Sequence, residues 1–278
     1  KGPRPGRDTP GPIADPDPAL LENVPGTSDS LPRIGADGRM PMQIYAAGFD
    51  STSRRPKVGV VLAGIGLIQA ESEEAIRTLP HGVTLAVSPY ARDPARLLAA
   101  ARAAEHEYLL SIPMEPQGFP LNDPGRLALM TSFSLEQNHR QLDALLSRVT
   151  GYVGAIGAEG GLRGERFAAL PEQMEPVLDE LAKRGLLYVD PRPGASRPPL
   201  VWGADVDVVI DEPGNAADID DKLAQLTRLA RQKGSALGLA AAARPVTIQR
   251  LAAWATSLVA DGLALAPVSA LVQPPAQQ

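Results

Sequence analysis

Three histidines (His81, His106 and His139) and no cysteine leave this chain few side chains able to hold a soft metal ion or act as a thiolate nucleophile. No two histidines stand at the His-x-x-x-His spacing that would put both imidazoles on one helix face, and no Gly-x-Ser-x-Gly elbow is present. The remaining chemistry rests on carboxylates and arginines set among prolines and glycines. In Ser111-Ile-Pro-Met-Glu-Pro116, Glu115 is held stiffly between prolines, with Ser111 and Met114 beside it as candidate binding residues. Glu115 reads equally as a site carboxylate or as an acceptor of backbone donors that orders the long loop after it. Asp190 is the second catalytic candidate; with Arg163 or Arg192 it would form a structural ion pair, the commoner outcome for such residues. Glu159 and Arg163 are the reactive groups of Gly154-Ala-Ile-Gly-Ala-Glu-Gly-Gly-Leu-Arg-Gly164, and Asp211 and Glu212 follow another apolar run.

These residues matter only if the fold brings them to one place, and the pattern between them is regular. Short apolar runs at Lys57–Leu62, Val83–Val87, Glu107–Ser111, Tyr152–Ile156, Leu186–Val189, Val206–Ile210, Ala236–Ala240 and Leu263–Ala266 read as strands. Helical stretches separate nearly all of them: 71–79, a helix to Ala104 opened by Asp93 as cap and Pro94, one from the capping box Ser134-Leu-Glu-Gln137 to about Arg148, then 171–184, 217–233 and 247–261. Gly185 and Gly234 stand where helices are expected to stop. Repeated strand–helix units imply parallel strands, as an irregular (β/α) barrel of about seven to eight strands or an open doubly wound sheet; count and length favour the barrel. In both, the loops beyond the carboxyl ends of the strands collect the chemistry, and Glu115, Glu159, Asp190 and Asp211 all fall there. His106 begins a strand, so it is expected at the other end as a satisfied structural histidine. His81 in a turn and His139 on a helix do not read as ligands.

Two glycine motifs are less than they seem. Gly64-x-Gly66 follows a strand, but Gln69 stands in the third glycine position and Ser88 offers no acid for a ribose. The glycine-rich 154–164 stretch lacks the Gly-Lys-Ser/Thr ending of a phosphate loop. The formal net charge of −5, with no basic stripe, argues against a nucleic-acid partner, and no apolar run of membrane-spanning length occurs. Prolines crowd the two ends. Residues 1–56 read as a Pro-rich tether and surface arm, 57–272 as the barrel and 273–278 as a solvated tail. The chain opens at Lys1, which reads as a processed or trimmed start with a signal peptide or anchor before it.

Several segments, in order, resemble the divergent polysaccharide deacetylases: Lys57-Val-Gly-Val-Val-Leu-Ala-Gly-Ile-Gly66, Leu79-Pro80 with Val83-Thr-Leu-Ala86, and Glu105-His-Glu-Tyr-Leu-Leu-Ser-Ile-Pro-Met-Glu-Pro116. Arg166-Phe167 before Met174-Glu-Pro-Val177, Arg184-Gly-Leu-Leu-Tyr-Val-Asp190 and Pro267-Val-Ser-Ala-Leu271 continue the match, and Leu31–Arg39 resembles the arm of alphaproteobacterial-type members. The resemblance implies an irregular (β/α) barrel and a metal-dependent hydrolase of acetyl groups. It also implies metal ligands at positions that here carry Ala63, Gly64 and Ser111, so the site is expected to be degenerate, with no cofactor. The expectation is a pseudoenzyme of the cell envelope, periplasmic or exported, whose partner is a cell-wall glycan or an envelope protein and whose binding residues include Ser111, Met114, Glu115, Glu159, Arg163, Asp190 and Arg192. The alternative is an active deacetylase that holds a divalent metal such as zinc in a rearranged site built from Glu115, Asp190 or Glu159. A third reading is an assembly factor that docks a partner through its Pro-rich arm.

Overall fold

The computed structural model describes residues 4–275. The first three residues of the expected tether and the last three of the expected tail lie outside the described residues. The arm carries a small hairpin, β1 (Leu21–Asn23) and β2 (Ser30–Pro32), and a short helix α1 (Pro41–Ile44). The body then runs β3 (Lys57–Ile65), α2 (Gln69–Thr78), β4 (Val83–Val87), α3 (Ala95–Ala103), β5 (Tyr108–Ser111), α4 (Leu135–Leu146) and β6 (Gly154–Ile156). It continues with α5 (Glu165–Ala168), α6 (Pro171–Lys183), β7 (Leu187–Asp190), β8 (Gly203–Asp205), β9 (Val208–Val209), α7 (Ala216–Lys233), β10 (Ser235–Ala240), α8 (Pro245–Ser257) and β11 (Ala264–Leu265).

The main sheet is parallel, ordered β8-β7-β6-β5-β4-β3-β10-β9. Its two ends, β8 and β9, are separated in sequence only by Val206 and Asp207. The Val206 N–H bonds Asp190 of β7 at 3.0 Å and the Asp207 N–H bonds Leu237 of β10 at 2.8 Å. One stretch of chain therefore serves both edges, and the sheet rolls into the irregular barrel expected from the strand–helix alternation. The run Val206–Ile210, read as one strand, is the second half of this seam. The last apolar run is not a barrel stave: β11 pairs with the start of β3.

Strand periodicity sorts the core into two layers. Val58, Val60 and Leu62 face the helices and pack with residues such as Ile76, Leu98, Leu142 and Leu223. Val61, Ala63, Ala86, Leu109, Leu187 and Leu239 point into the barrel. There they meet Ile13, Leu20, Met42, Tyr45, Ala46 and Ala47 of the arm and Val268 and Leu271 near the other terminus. Within the proline-rich arm Ile13, Leu20, Leu31, Met42 and Tyr45 are buried; the Gly6 N–H donates to Met42 inside the arm, and the Ile13 N–H donates to the Arg102 carbonyl and so fastens the arm to the body.

The helix ends follow their signals with one exception. Ser134 and Gln137 form the reciprocal capping box of α4, and Gly185 and Gly234 adopt left-handed φ values of 71° and 85°. Asp93, expected as the cap of α3, instead takes a positive φ of 44°, and Pro94 occupies the cap position without a side-chain bond.

Candidate binding site at the carboxyl end of the barrel

The β6–α5 connection, residues 157–164, forms a strap over the carboxyl end of the barrel. Glu159 and Leu162 exchange backbone bonds of 3.0 and 3.1 Å, which closes the strap on itself. At its far end Gly164 adopts a φ of 60°, and a Cβ there would lie 2.6 Å from the Cβ of Met114, so only glycine fits. Two side chains latch it. The Ser88 hydroxyl, just past β4, lies 2.6 Å from Glu159 Oε1 and donates to it. Arg163 Nη1 donates to both oxygens of Glu212, beyond β9, at 3.0 and 2.9 Å.

Under the strap the polar groups are incompletely matched. Val87 and Leu110 are register partners, so Ser88 and Ser111 follow side by side at the ends of β4 and β5. The Ser111 hydroxyl is fully buried and, like Glu159 Oε2, has no hydrogen-bond partner among the described residues. Burial pushes the Glu159 carboxyl up to about 7, against the opposing pull of the Ser88 hydrogen bond.

The other carboxylates at this end are tied to protein partners. Glu115 Oε2 accepts from the Thr131 amide and hydroxyl, each at 2.7 Å, and Oε1 pairs with Arg166 at 3.0 Å. Its backbone bonds Leu129 and Phe167, so Glu115 organises the loop that follows β5. Asp190 is gripped by Arg192 in a fork of 2.9 and 2.6 Å plus the Arg192 amide at 3.0 Å, while Arg163 goes to Glu212 instead. Asp211 accepts from the Ala241 and Ala242 amides at 2.7 and 3.1 Å; burial raises its pKa and those bonds oppose the rise. The strap thus draws Met114, Glu159, Arg163 and Ser111 together. Asp190 and Arg192 form a separate pair at the end of β7. Ser88 was not among the sequence candidates; its signal was a polar residue closing the wholly buried run Val83–Val87.

His106 sits at the opposite end of the barrel. Its Nδ1 lies 2.9 Å from the Val83 carbonyl, its Nε2 has no partner among the described residues, and burial lowers its pKa. A divalent cation needs several converging nitrogen or oxygen donors. At the three positions where the family resemblance implies ligands, Ala63 and Gly64 supply no side-chain donor and Ser111 only a neutral hydroxyl. These residues do not fit a metal ion. Among the described residues, the one grouping of three His, Asp or Glu side chains with ligand atoms within 4.8 Å of one another is His139, Asp143 and Glu180. It lies on α4 and α6, where Arg184 Nε is 2.7 Å from Glu180.

A family model described as divergent polysaccharide deacetylase matches residues 60–272. The chain belongs to this family. The solved structure of an uncharacterized protein from Agrobacterium tumefaciens C58 is similar to this divergent deacetylase with 35% identity and a TM-score of 0.80, covering 88% of this chain and all of that one. The catalytic domain of a peptidoglycan N-acetylglucosamine deacetylase from Eubacterium rectale matches at 11% identity and a TM-score of 0.46, covering 81% of this chain and 93% of that one. No curated protein matches the chain. No helix among the described residues is long and apolar enough to cross a membrane.

Proposed function

We propose that this divergent deacetylase is a non-hydrolytic envelope protein that binds cell-wall glycan at the carboxyl end of its barrel and uses no metal cofactor. The observation that supports the reading most is the donor set at the mouth. Ala63, Gly64 and Ser111 stand where ligands are implied, and Glu115, Asp190 and Asp211 are already occupied by Thr131, Arg166, Arg192 and backbone amides. Metal-assisted deacetylation requires a cation to polarise the carbonyl and activate water, and this donor set offers none of its usual anchors. A place in the periplasm follows the same reading.

Purified cell-wall glycan tests it. The native chain is retained on the glycan, and an Arg163→Ala/Met114→Ala variant is retained less. Equal retention of the two, with no envelope protein bound either, would sink the proposal.

One observation favours a second reading, an active hydrolase with a rearranged site. Among the described residues, Glu159 alone of the mouth carboxylates keeps an oxygen without a partner, and its raised pKa of about 7 suits a general acid or base. Deacetylation of acetylated glycan with added zinc, cobalt or manganese separates the two readings: turnover that disappears in Glu159→Gln supports hydrolysis.

A further inference from the structure

A cavity of about 600 Å³ opens at the other end of the barrel, between the arm and the start of β3. That volume is in the range of small-molecule sites. Its walls bring Arg4, Arg7 and Lys57 together with a single acid, Asp8, in a protein whose formal net charge is −5. Arg7 donates to the carbonyls of Gly11 and Pro12 and so is fixed in place as a source of positive potential. Lys57 Nζ stands 5.3 Å from the centre of the Phe49 ring. Among the described residues neither Arg4 nor Lys57 forms an ion pair. Trp202, half-buried beside Phe49 in the same wall, supplies an aromatic ring and an indole N–H that donates to nothing among the described residues.

We propose that this cavity binds an anionic saccharide, a pyranose that carries a carboxylate. The reasoning is chemical. Aromatic rings offer flat apolar faces to the C–H surface of a sugar and a polar handle to its hydroxyls. Two cations without carboxylate partners, Arg4 and Lys57, supply charge-assisted hydrogen bonds to one carboxylate. Asp8 is left to accept from a hydroxyl. Neutral sugars would satisfy the rings but leave the cations unmatched. The site is remote from the strap and independent of whatever the barrel mouth does.

The chain has two tryptophans, Trp202 and Trp254, and the latter donates to Thr227 between α7 and α8. Trp254→Phe therefore leaves Trp202 as the only indole reporter. Titration of that variant with digalacturonic acid should give a saturable change in emission that weakens as salt rises. Arg4→Gln and Lys57→Gln together should weaken binding by about tenfold or more, with circular dichroism unchanged. Arg163→Ala at the mouth should leave it unaltered, which separates this site from the function proposed above. No saturable change at about 10 mM ligand, equal affinity for neutral chitobiose, or tighter binding of adenosine monophosphate than of the uronide would each overturn the assignment.

Discussion

Two glutamates stand near opposite ends of this barrel, Glu107 fully buried and Glu159 half-buried under the strap, and they are treated oppositely. Glu107, at the amino end of β5, is fully buried and receives four donors. The Thr84 hydroxyl and Ser269 amide bond Oε1, both at 3.0 Å, and the Ala47 amide and Ser269 hydroxyl bond Oε2 at 2.9 and 2.6 Å. Those donors come from β4, from the arm and from the turn near the other terminus, so one carboxylate ties three distant pieces of chain together. Glu159, at the carboxyl end, has one side-chain donor and one orphaned oxygen among the described residues. Burial raises both pKa values. The difference lies in what opposes it: a complete set of hydrogen bonds in one case, a single hydroxyl in the other. A saturated buried carboxylate acts as a fastener, whereas a half-saturated one leaves room for rearrangement or for a bound group.

The largest test of this contrast is Glu107→Leu. It strands four buried donors, and the expected loss is about 3 kcal/mol or more in denaturant unfolding. A loss under about 1 kcal/mol would mean the amino end is not locked as described.

Next comes acidity. The folded chain holds the Glu159 proton up to about pH 7, against an ordinary value of 4.5. The stability this proton lends is full below the ordinary value and is lost as pH rises through about 7, a difference of roughly 3 kcal/mol at most. Unfolding free energies of the native chain and Glu159→Gln, compared across pH 4 to 8, should diverge with that sign. Parallel curves would remove the contrast between the two ends.

The smallest effect concerns the strap. The Arg163–Glu212 pair is partly exposed, so Arg163→Ala is expected to cost under about 1 kcal/mol in global stability. Hydrogen exchange should nevertheless accelerate across residues 157–164 while the amides around Glu107 stay protected. Acceleration at both ends would show the strap to be part of the global core.

Much of the framework was legible in the sequence because its signals are local. The capping box at Ser134 and the stop glycines Gly185 and Gly234 each act within one helical turn. The apolar runs Val83–Val87 and Ala236–Ala240 match buried strands to within a residue, since a strand covered on both sides must be apolar throughout. What was not legible depends on contacts far apart in sequence. The packed arm has too few apolar residues, too widely spaced, to announce itself; its burial comes from a cavity that only the rolled sheet creates. Asp93 looked like a helix cap because aspartate before proline usually is one, yet the turn from β4 places it at a positive φ. The mouth was half legible. Glu115, Glu159 and Asp190 could be found from their place after strands, but whether each carboxylate is free or taken is decided by Thr131, Ser88 and Arg192, and in the first two cases that partner lies outside any readable motif.

The seam at residues 203–209 has a bearing on solubility. An open parallel sheet ends in two rows of unpaired amides and carbonyls, and such rows recruit strands from other molecules. Here both rows belong to the same few residues, each already engaged by β7 on one side or β10 on the other. Stretching the link at Val206 and Asp207 with a few inserted glycines would release two complementary edges at once, and the expected result is aggregation before unfolding.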